Sequence, residues 1–157
     1  MRWLILALLL YTDTAAALPL SGNMTVVDGD SLELETTRIR LDGIDAPEYN
    51  QPCYTASGAE YACGQAATDY LRELIAEQIV TCDCLPEPDK YGRQICECFV
   101  GEMSLNRQMV AAGLARTYRS NNYAADEDTA RLAKRGIWQG KHMRPALYRI
   151  WQRLMLK

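Results

Sequence analysis

A single histidine, His142, occurs in 157 residues. Sites that need two histidines, such as HExxH zinc chemistry or a paired-histidine phosphoesterase, are therefore excluded. Positive charge is not in excess: the formal net charge is −3. That argues against a broad basic surface coating nucleic acid, so chemistry on nucleic acid must come from a local cluster. Prolines number six, and repeats, linkers and low-complexity tracts are missing, which argues against a disordered or fibrous chain. One domain is expected, since dividing this length would leave pieces near the lower size limit for a core. No CxxC occurs and no activating base stands beside a cysteine, which weakens a thiol-redox reading. The N-terminal apolar run, Trp3 to Leu10, is far shorter than the roughly 18 residues that cross a bilayer.

That run has another use. Arg2 precedes it, and Ala15-Ala16-Ala17 offer a small-residue cleavage site, so residues 1–17 read as a secretory signal. A buried helix or an uncleaved anchor is the alternative. The chain is thus expected to be secreted or periplasmic, with no stable membrane association after cleavage. A folded domain is expected over residues 18–145 and a helical tail over 146–157. Export brings oxidising conditions, and six cysteines form an even set suited to disulfides. Cys82 and Cys84 share one strand face, as do Cys96 and Cys98. The turn-rich stretch Leu85 to Arg93 between them suits a long hairpin. Antiparallel pairing sets Cys82 opposite Cys98 and Cys84 opposite Cys96, and leaves Cys53 and Cys63 to close a small loop. A four-thiolate metal site is the competing idea, although zinc sites more often use CxxC.

Alternating apolar residues from Met24 to Leu34 (Val26, Leu32, Leu34) predict two strands around an Asp28-Gly29-Asp30 break. Arg38 to Leu41 alternates again, and Gly43 and Ala46-Pro47 end that strand. A polar loop is expected up to Gly64. Ala66, Tyr70, Leu71, Leu74 and Ile75 recur at helical spacing from Gln65 onward. Ser104 is a suitable N-cap for a second helix that Gly113 ends. A third helix is predicted over Asp126 to Arg135. Arg144 to Lys157 reads as a further helix with Leu147, Ile150, Trp151 and Leu154 on its packed side. Its Arg149, Arg153 and Lys157 are expected to form a solvated face, with a weak phosphate-contacting tail as the alternative. The order of elements is that of an α+β domain with a small barrel or sheet.

Three segments place charged residues beside turns: Val27-Asp28-Gly29-Asp30-Ser31, Arg40 to Glu48, and Asp89-Lys90-Tyr91-Gly92-Arg93. Asp30, Asp45 and Glu48 are hard oxygen donors of the type Ca²⁺ or Mg²⁺ selects. Arg40 and Arg93 are fork-shaped cations that each suit two oxygens of a phosphate. A metal, a carboxylate base and two arginines stabilise a phosphodiester transition state without histidine. Singly, each segment also reads as an ordinary turn or surface ion pair.

Together these blocks resemble the staphylococcal (micrococcal, thermonuclease-like) nuclease family, especially its exported, disulfide-containing bacterial members. Leu105-Asn106, Gly113-Leu114-Ala115 and Lys134 to Trp138 extend the resemblance, which runs from about Met24 to Gly140. It implies an OB-like five-stranded barrel with about three helices, a form that commonly binds oligonucleotides on one face. By similarity, Asp30 and Asp45 would ligate Ca²⁺ through carboxylates and Ala46 through its carbonyl. Family members often carry threonine at the last of these positions. Asp28 would orient the metal loop. Glu48 matches the general base, Arg40 and Arg93 the phosphate clamp, and Lys90, Tyr91 and Tyr118 positions near the nucleotide. Four of the cysteines, Cys53, Cys63, Cys82 and Cys98, match those of similar exported members, and Cys84 and Cys96 are an added pair.

The resemblance therefore implies a Ca²⁺-dependent phosphodiesterase on DNA and RNA, acting as a monomer with little sequence preference and leaving 3′-phosphate ends. Substrate binding is expected to be weak and salt-sensitive, given the net charge. Arg40→Ala or Arg93→Ala is expected to nearly abolish cleavage with the fold intact. A non-catalytic OB-like module that binds nucleic acid or another envelope polymer is the alternative.

Overall fold

The computed structural model describes residues 19–155, so the expected signal segment lies outside the described residues. In chain order the strands and helices are β1 (Leu20–Gly22), β2 (Thr25–Asp28), β3 (Ser31–Leu34), β4 (Thr37–Leu41), β5 (Ile44–Asp45), β6 (Cys53–Tyr54) and β7 (Glu60–Tyr61), followed by α1 (Cys63–Ile75). Then come β8 (Val80–Cys84), β9 (Gln94–Val100), β10 (Met103–Ser104), α2 (Leu105–Ala111), β11 (Arg116–Thr117), α3 (Ala124–Leu132) and α4 (Pro145–Met155). A short 3₁₀ turn, Gly136–Gln139, precedes α4.

The main sheet runs β1-β8-β9-β4-β3-β2, with β10 added to β9. Its two end members, β1 and β2, are one chain segment interrupted only at Asn23 and Met24. A sheet whose ends are a single segment must curl until they meet. Counted that way, β1–β2, β3, β4, β8 and β9 are the five strands of an OB-like barrel. The β4–β9 pair is parallel and the other neighbours are antiparallel. Alternation sends Leu32, Ile39 and Leu41 inward, where they meet Leu71 of α1 and Leu105 and Met109 of α2. β1 was absent from the sequence expectation, because three residues show no recognisable alternation.

The cysteine register follows the hairpin. Cys82 faces Cys98 and Cys84 faces Cys96, each pair with Cα atoms 4.0 Å apart and bonded through sulfur. Cys53 is bonded to Cys63, and no cysteine is free among the described residues.

Several boundaries differ from expectation. α1 starts at Cys63, and the preceding loop holds the β6–β7 hairpin. Gly64 makes this start possible: a Cβ there would lie 1.7 Å from the carbonyl oxygen of Glu48, so only glycine lets the helix rest on that turn. α2 begins as expected, with the Ser104 hydroxyl accepting the Arg107 N–H. α3 ends at Leu132, earlier than predicted, because Lys134 adopts a positive φ and the Arg135 N–H turns back to Ala130 O. The largest correction concerns α4. Leu147, Ile150, Trp151 and Leu154 are exposed, while Pro145 and Tyr148 are buried. Tyr148 Oη donates to Asn50 O at 2.9 Å, and just before the helix the Met143 carbonyl accepts the Gln51 side-chain amide at 2.7 Å. Polar partners therefore chose the docked face over helical hydrophobicity. Among the described residues no helix is long and apolar enough to cross a membrane.

Asn106 ties α2 to the barrel. Fully buried, it accepts the Cys98 N–H at 3.0 Å and donates to Asp42 O at 2.9 Å and Cys96 O at 3.1 Å. Asn106→Ala takes this partner from the Cys98 N–H and Asp42 O, while Cys96 O keeps the Asp42 N–H at 2.8 Å, and is expected to cost about 2–3 kcal/mol. Urea unfolding reads this directly, and a cost under about 1 kcal/mol would refute the account.

Candidate active site

Strand register builds the site. Ser31 lies opposite Arg40 in the β3–β4 pair, which brings Arg40 beside the Asp28-Gly29-Asp30 turn. The Asp30 N–H donates to Asp28 Oδ1 at 3.0 Å, closing that turn. Gly29 lets it pack tightly, since a Cβ there would meet the Cβ atoms of Ala46 and Ala67 at 2.8 Å. After β4 the chain reverses at Asp42-Gly43 and returns as β5, so Arg40 also reaches the far side of its own turn.

Arg40 thus bridges two carboxylates. Its Nη1 donates to Asp30 Oδ1 at 2.5 Å, and its Nη2 to Asp45 Oδ1 at 3.0 Å and Ile44 O at 3.1 Å. Burial disfavours its charge, but the charges of Asp30 and Asp45 outweigh this and raise its pKa above the ordinary value. Asp30 is fully engaged: Oδ1 also accepts the Ser31 hydroxyl, and Oδ2 accepts the Ala46 N–H at 2.9 Å. Burial, and then the charge of Asp30, push the Asp28 carboxyl up to about 6, with Glu48 adding to the rise.

Glu48 lies on a turn whose ends are joined by the Gln51 N–H to Glu48 O bond at 2.7 Å. The side chain of Gln51, itself fully buried, accepts the Glu48 N–H at 3.3 Å. The partner of the Glu48 carboxylate is Arg149 of α4: Nη1 donates to Glu48 Oε1 at 2.6 Å and Nη2 to Asp45 Oδ1 at 3.1 Å. Burial acts against the Arg149 charge, but the hydrogen bond to Glu48 and the charge of Asp45 raise its pKa. The expected solvated face therefore fails for Arg149. No local pattern marks it, because it stands 101 residues from Glu48. Gln51 and Asn106 were likewise missed as supports of the site.

The remaining expected residues lie apart from this network. Asp89 organises its own turn, accepting the Tyr91 and Arg93 N–H groups, and binds the Arg93 guanidinium through Nε at 2.9 Å and Nη2 at 2.7 Å. Lys90 and Arg93 both stand over the Tyr91 ring. Among the described residues no hydrogen bond or ion pair joins this cluster to Asp30, Asp45 or Glu48. Tyr118 is tied to the Asp42-Gly43 turn by its N–H, which donates to Gly43 O at 2.8 Å. His142 is structural: it forms a strand-like bridge with Cys53, and its Nε2 is 3.0 Å from Arg116 Nη1.

A model of the family described as staphylococcal nuclease homologue matches residues 38–140. The chain belongs to that family. The match takes in Arg40, Asp45, Ala46, Glu48, Lys90, Tyr91, Arg93 and Tyr118, while Asp28, Asp30 and all of α4 fall outside it. The succinoglycan biosynthesis protein ExoI of Rhizobium meliloti is 33% identical over 139 residues, covering 86% of this chain and 73% of its own. An uncharacterized endonuclease of Escherichia coli O157:H7 is 34% identical over 122 residues, covering 72% of each chain. The thermonuclease of Staphylococcus intermedius is 31% identical over 96 residues, 58% of this chain and 55% of its own. A nuclease of the staphylococcal family is what these likenesses support.

The family generally uses Ca²⁺. The residues here fit such an ion in part. Every side-chain donor is an oxygen, and Asp28, whose carboxyl is raised first by burial and then by the charge of Asp30, adds a further carboxyl beside them. Against that, among the described residues no three Asp, Glu, His or Cys side chains converge as a ready-made cage. Arg40 and Arg149 already hold Asp45 Oδ1.

Proposed function

We propose that the protein is an exported, Ca²⁺-dependent nuclease that hydrolyses phosphodiester bonds of DNA and RNA with low sequence specificity. The observation that carries this reading is the ion-pair network of Asp30, Arg40 and Asp45 at the barrel turn, with the Glu48 carboxylate beside it. Asp30, Asp45 and the Ala46 carbonyl would hold the Ca²⁺, with Asp28 steadying their loop. Bound there, the ion supplies positive charge against the phosphate oxygens. Glu48 takes the proton of the attacking water through Oε2, which has no hydrogen-bond partner among the described residues. Arg40 meets the charge that develops on phosphorus. Arg93 acts from the neighbouring turn, where Asp89 engages Nε and Nη2 and leaves Nη1 to offer a phosphate. Lys90, Tyr91 and Tyr118 flank the nucleotide, and the chain acts as a monomer. The three disulfides support export of the mature domain, after removal of residues 1–17.

A supercoiled-plasmid nicking assay tests this. The wild type is expected to nick in Ca²⁺, stop in EDTA and recover on re-addition, and Glu48→Gln to lose about 10²–10⁴-fold, the usual worth of a general base. Metal-independent nicking would remove the Ca²⁺ assignment. A wild type that does not nick at all would favour the second reading, a module that binds an envelope polymer. One observation favours that reading: a relative carries the name of a polysaccharide biosynthesis protein.

A further inference from the structure

α4 lies beyond the residues that the family model matches, yet its arginine touches two of the carboxylates in the site. We propose that Arg149 is a positioning residue of the nuclease reaction, holding Glu48 and Asp45 each by one oxygen so that the other oxygen stays free. The inference rests on the nuclease reading given above.

The hydrogen bonds support it. Arg149 engages Glu48 only at Oε1 and Asp45 only at Oδ1. Among the described residues, Glu48 Oε2 and Asp45 Oδ2 have no hydrogen-bond partner, whereas Asp30 is bonded at both oxygens. A guanidinium that merely plugged the site would cover both oxygens of the base in the bidentate manner arginine favours. One planar fork across two carboxylates instead sets their separation and their rotamers. Glu48 is partly exposed and would otherwise sample several rotamers, and an ångström of misplacement at a reacting group costs rate rather than binding.

α4 is fastened to the turn that carries the base. Tyr148, beside Arg149, is buried and donates to Asn50 O, and Gln51, which receives the Glu48 N–H, donates to Met143 O. The turn is anchored from behind by the Cys53–Cys63 bond, and His142 bridges to Cys53. Base, guanidinium and their supports are therefore joined in one hydrogen-bonded network. Charge gives a second reason. Asp28, Asp30, Asp45 and Glu48 crowd one region, while Arg93 is engaged by Asp89, so Arg40 alone among the expected arginines meets this cluster. Among the described residues Arg149 is the second cation paired with it.

Full-length oxidised Arg149→Ala and Arg149→Lys, assayed beside wild type and Glu48→Gln, test the proposal. Arg149→Ala is expected to lower kcat by about 10–100-fold with KM changed less than about threefold. Arg149→Lys is expected to retain part of the loss, and millimolar guanidinium to restore part of the rate of Arg149→Ala. The thermal midpoint, and binding of a labelled oligodeoxynucleotide in EDTA, are expected to stay close to wild type. A kcat within about twofold of wild type would overturn the proposal. A several-fold higher kcat would overturn it in favour of an inhibitory plug. A lower kcat that comes with a fallen thermal midpoint and no guanidinium rescue would make Arg149 merely structural, again against it. A wild type without nuclease activity would sink the parent reading as well, an outcome separate from an active wild type indifferent to residue 149.

Discussion

Arg40→Ala is expected to lower phosphodiester cleavage by about 10²–10³-fold, the usual cost of removing one preorganised donor from a reacting oxyanion. The structure adds a second effect to that loss. Arg40 is buried between Asp30 and Asp45, whose side chains are 5% exposed. Removing the cation leaves the buried Asp30 carboxylate without a counter-ion and Asp45 with Arg149 alone. Breaking a buried pair in this way costs about 3–5 kcal/mol, so the melting temperature should fall by roughly 10 °C. The fold is still expected to survive Arg40→Ala, with that loss of stability. Arg93→Ala should spare stability, because among the described residues its one ion pair is with Asp89, four residues away within its own turn. Nicking rates and thermal melts of the two variants separate the cases. If Arg40→Ala keeps more than about a third of wild-type turnover, its place in the chemistry is lost. Arg40→Lys should recover little, because one ammonium cannot fork to two carboxylates as a planar guanidinium does.

Loss of both hairpin disulfides is expected to cost about 4–5 kcal/mol, a large part of the roughly 5–15 kcal/mol available to a small domain. The reason is nested loop closure. Cys82–Cys98 closes a separation of 16 residues and Cys84–Cys96 a separation of 12 inside it. While either bond remains, the unfolded hairpin is already closed, and the other adds only a short ring worth about 1–2 kcal/mol. Replacing one pair by alanine should thus cost little, and replacing all four cysteines should cost more than the two pair losses added together. Urea unfolding of the three variants measures this. A four-cysteine variant no less stable than either pair variant would refute the loop-entropy account.

Much of the fold was legible locally. The Asp28-Gly29-Asp30 break, the strands around it and the capped start of α2 follow from alternation and turn chemistry confined to a few residues. The cysteine register was legible for a related reason, since period-two geometry in a hairpin leaves one natural alignment. Closure of the barrel by β1 was not, because a three-residue strand carries too little pattern. The face of α4 was misread because helical hydrophobicity pointed one way, while the polar partners of Tyr148 and Arg149, at Asn50 O, Glu48 and Asp45, pulled the other.

The sequence by itself determined which chemical groups are available: carboxylates and arginines at turns, one histidine remote from them, and cysteines spaced for a doubly bonded hairpin. It also placed Arg40 and Asp45 on one short segment around a tight turn, where the structure pairs them. Only the tertiary structure decided that Arg149 reaches Glu48 and that Asn106 holds the Asp42 turn. The division has a physical cause. Contacts within one turn are set by local dihedral preferences, whereas a contact across a hundred residues exists only after the barrel has closed and α4 has found its polar seat.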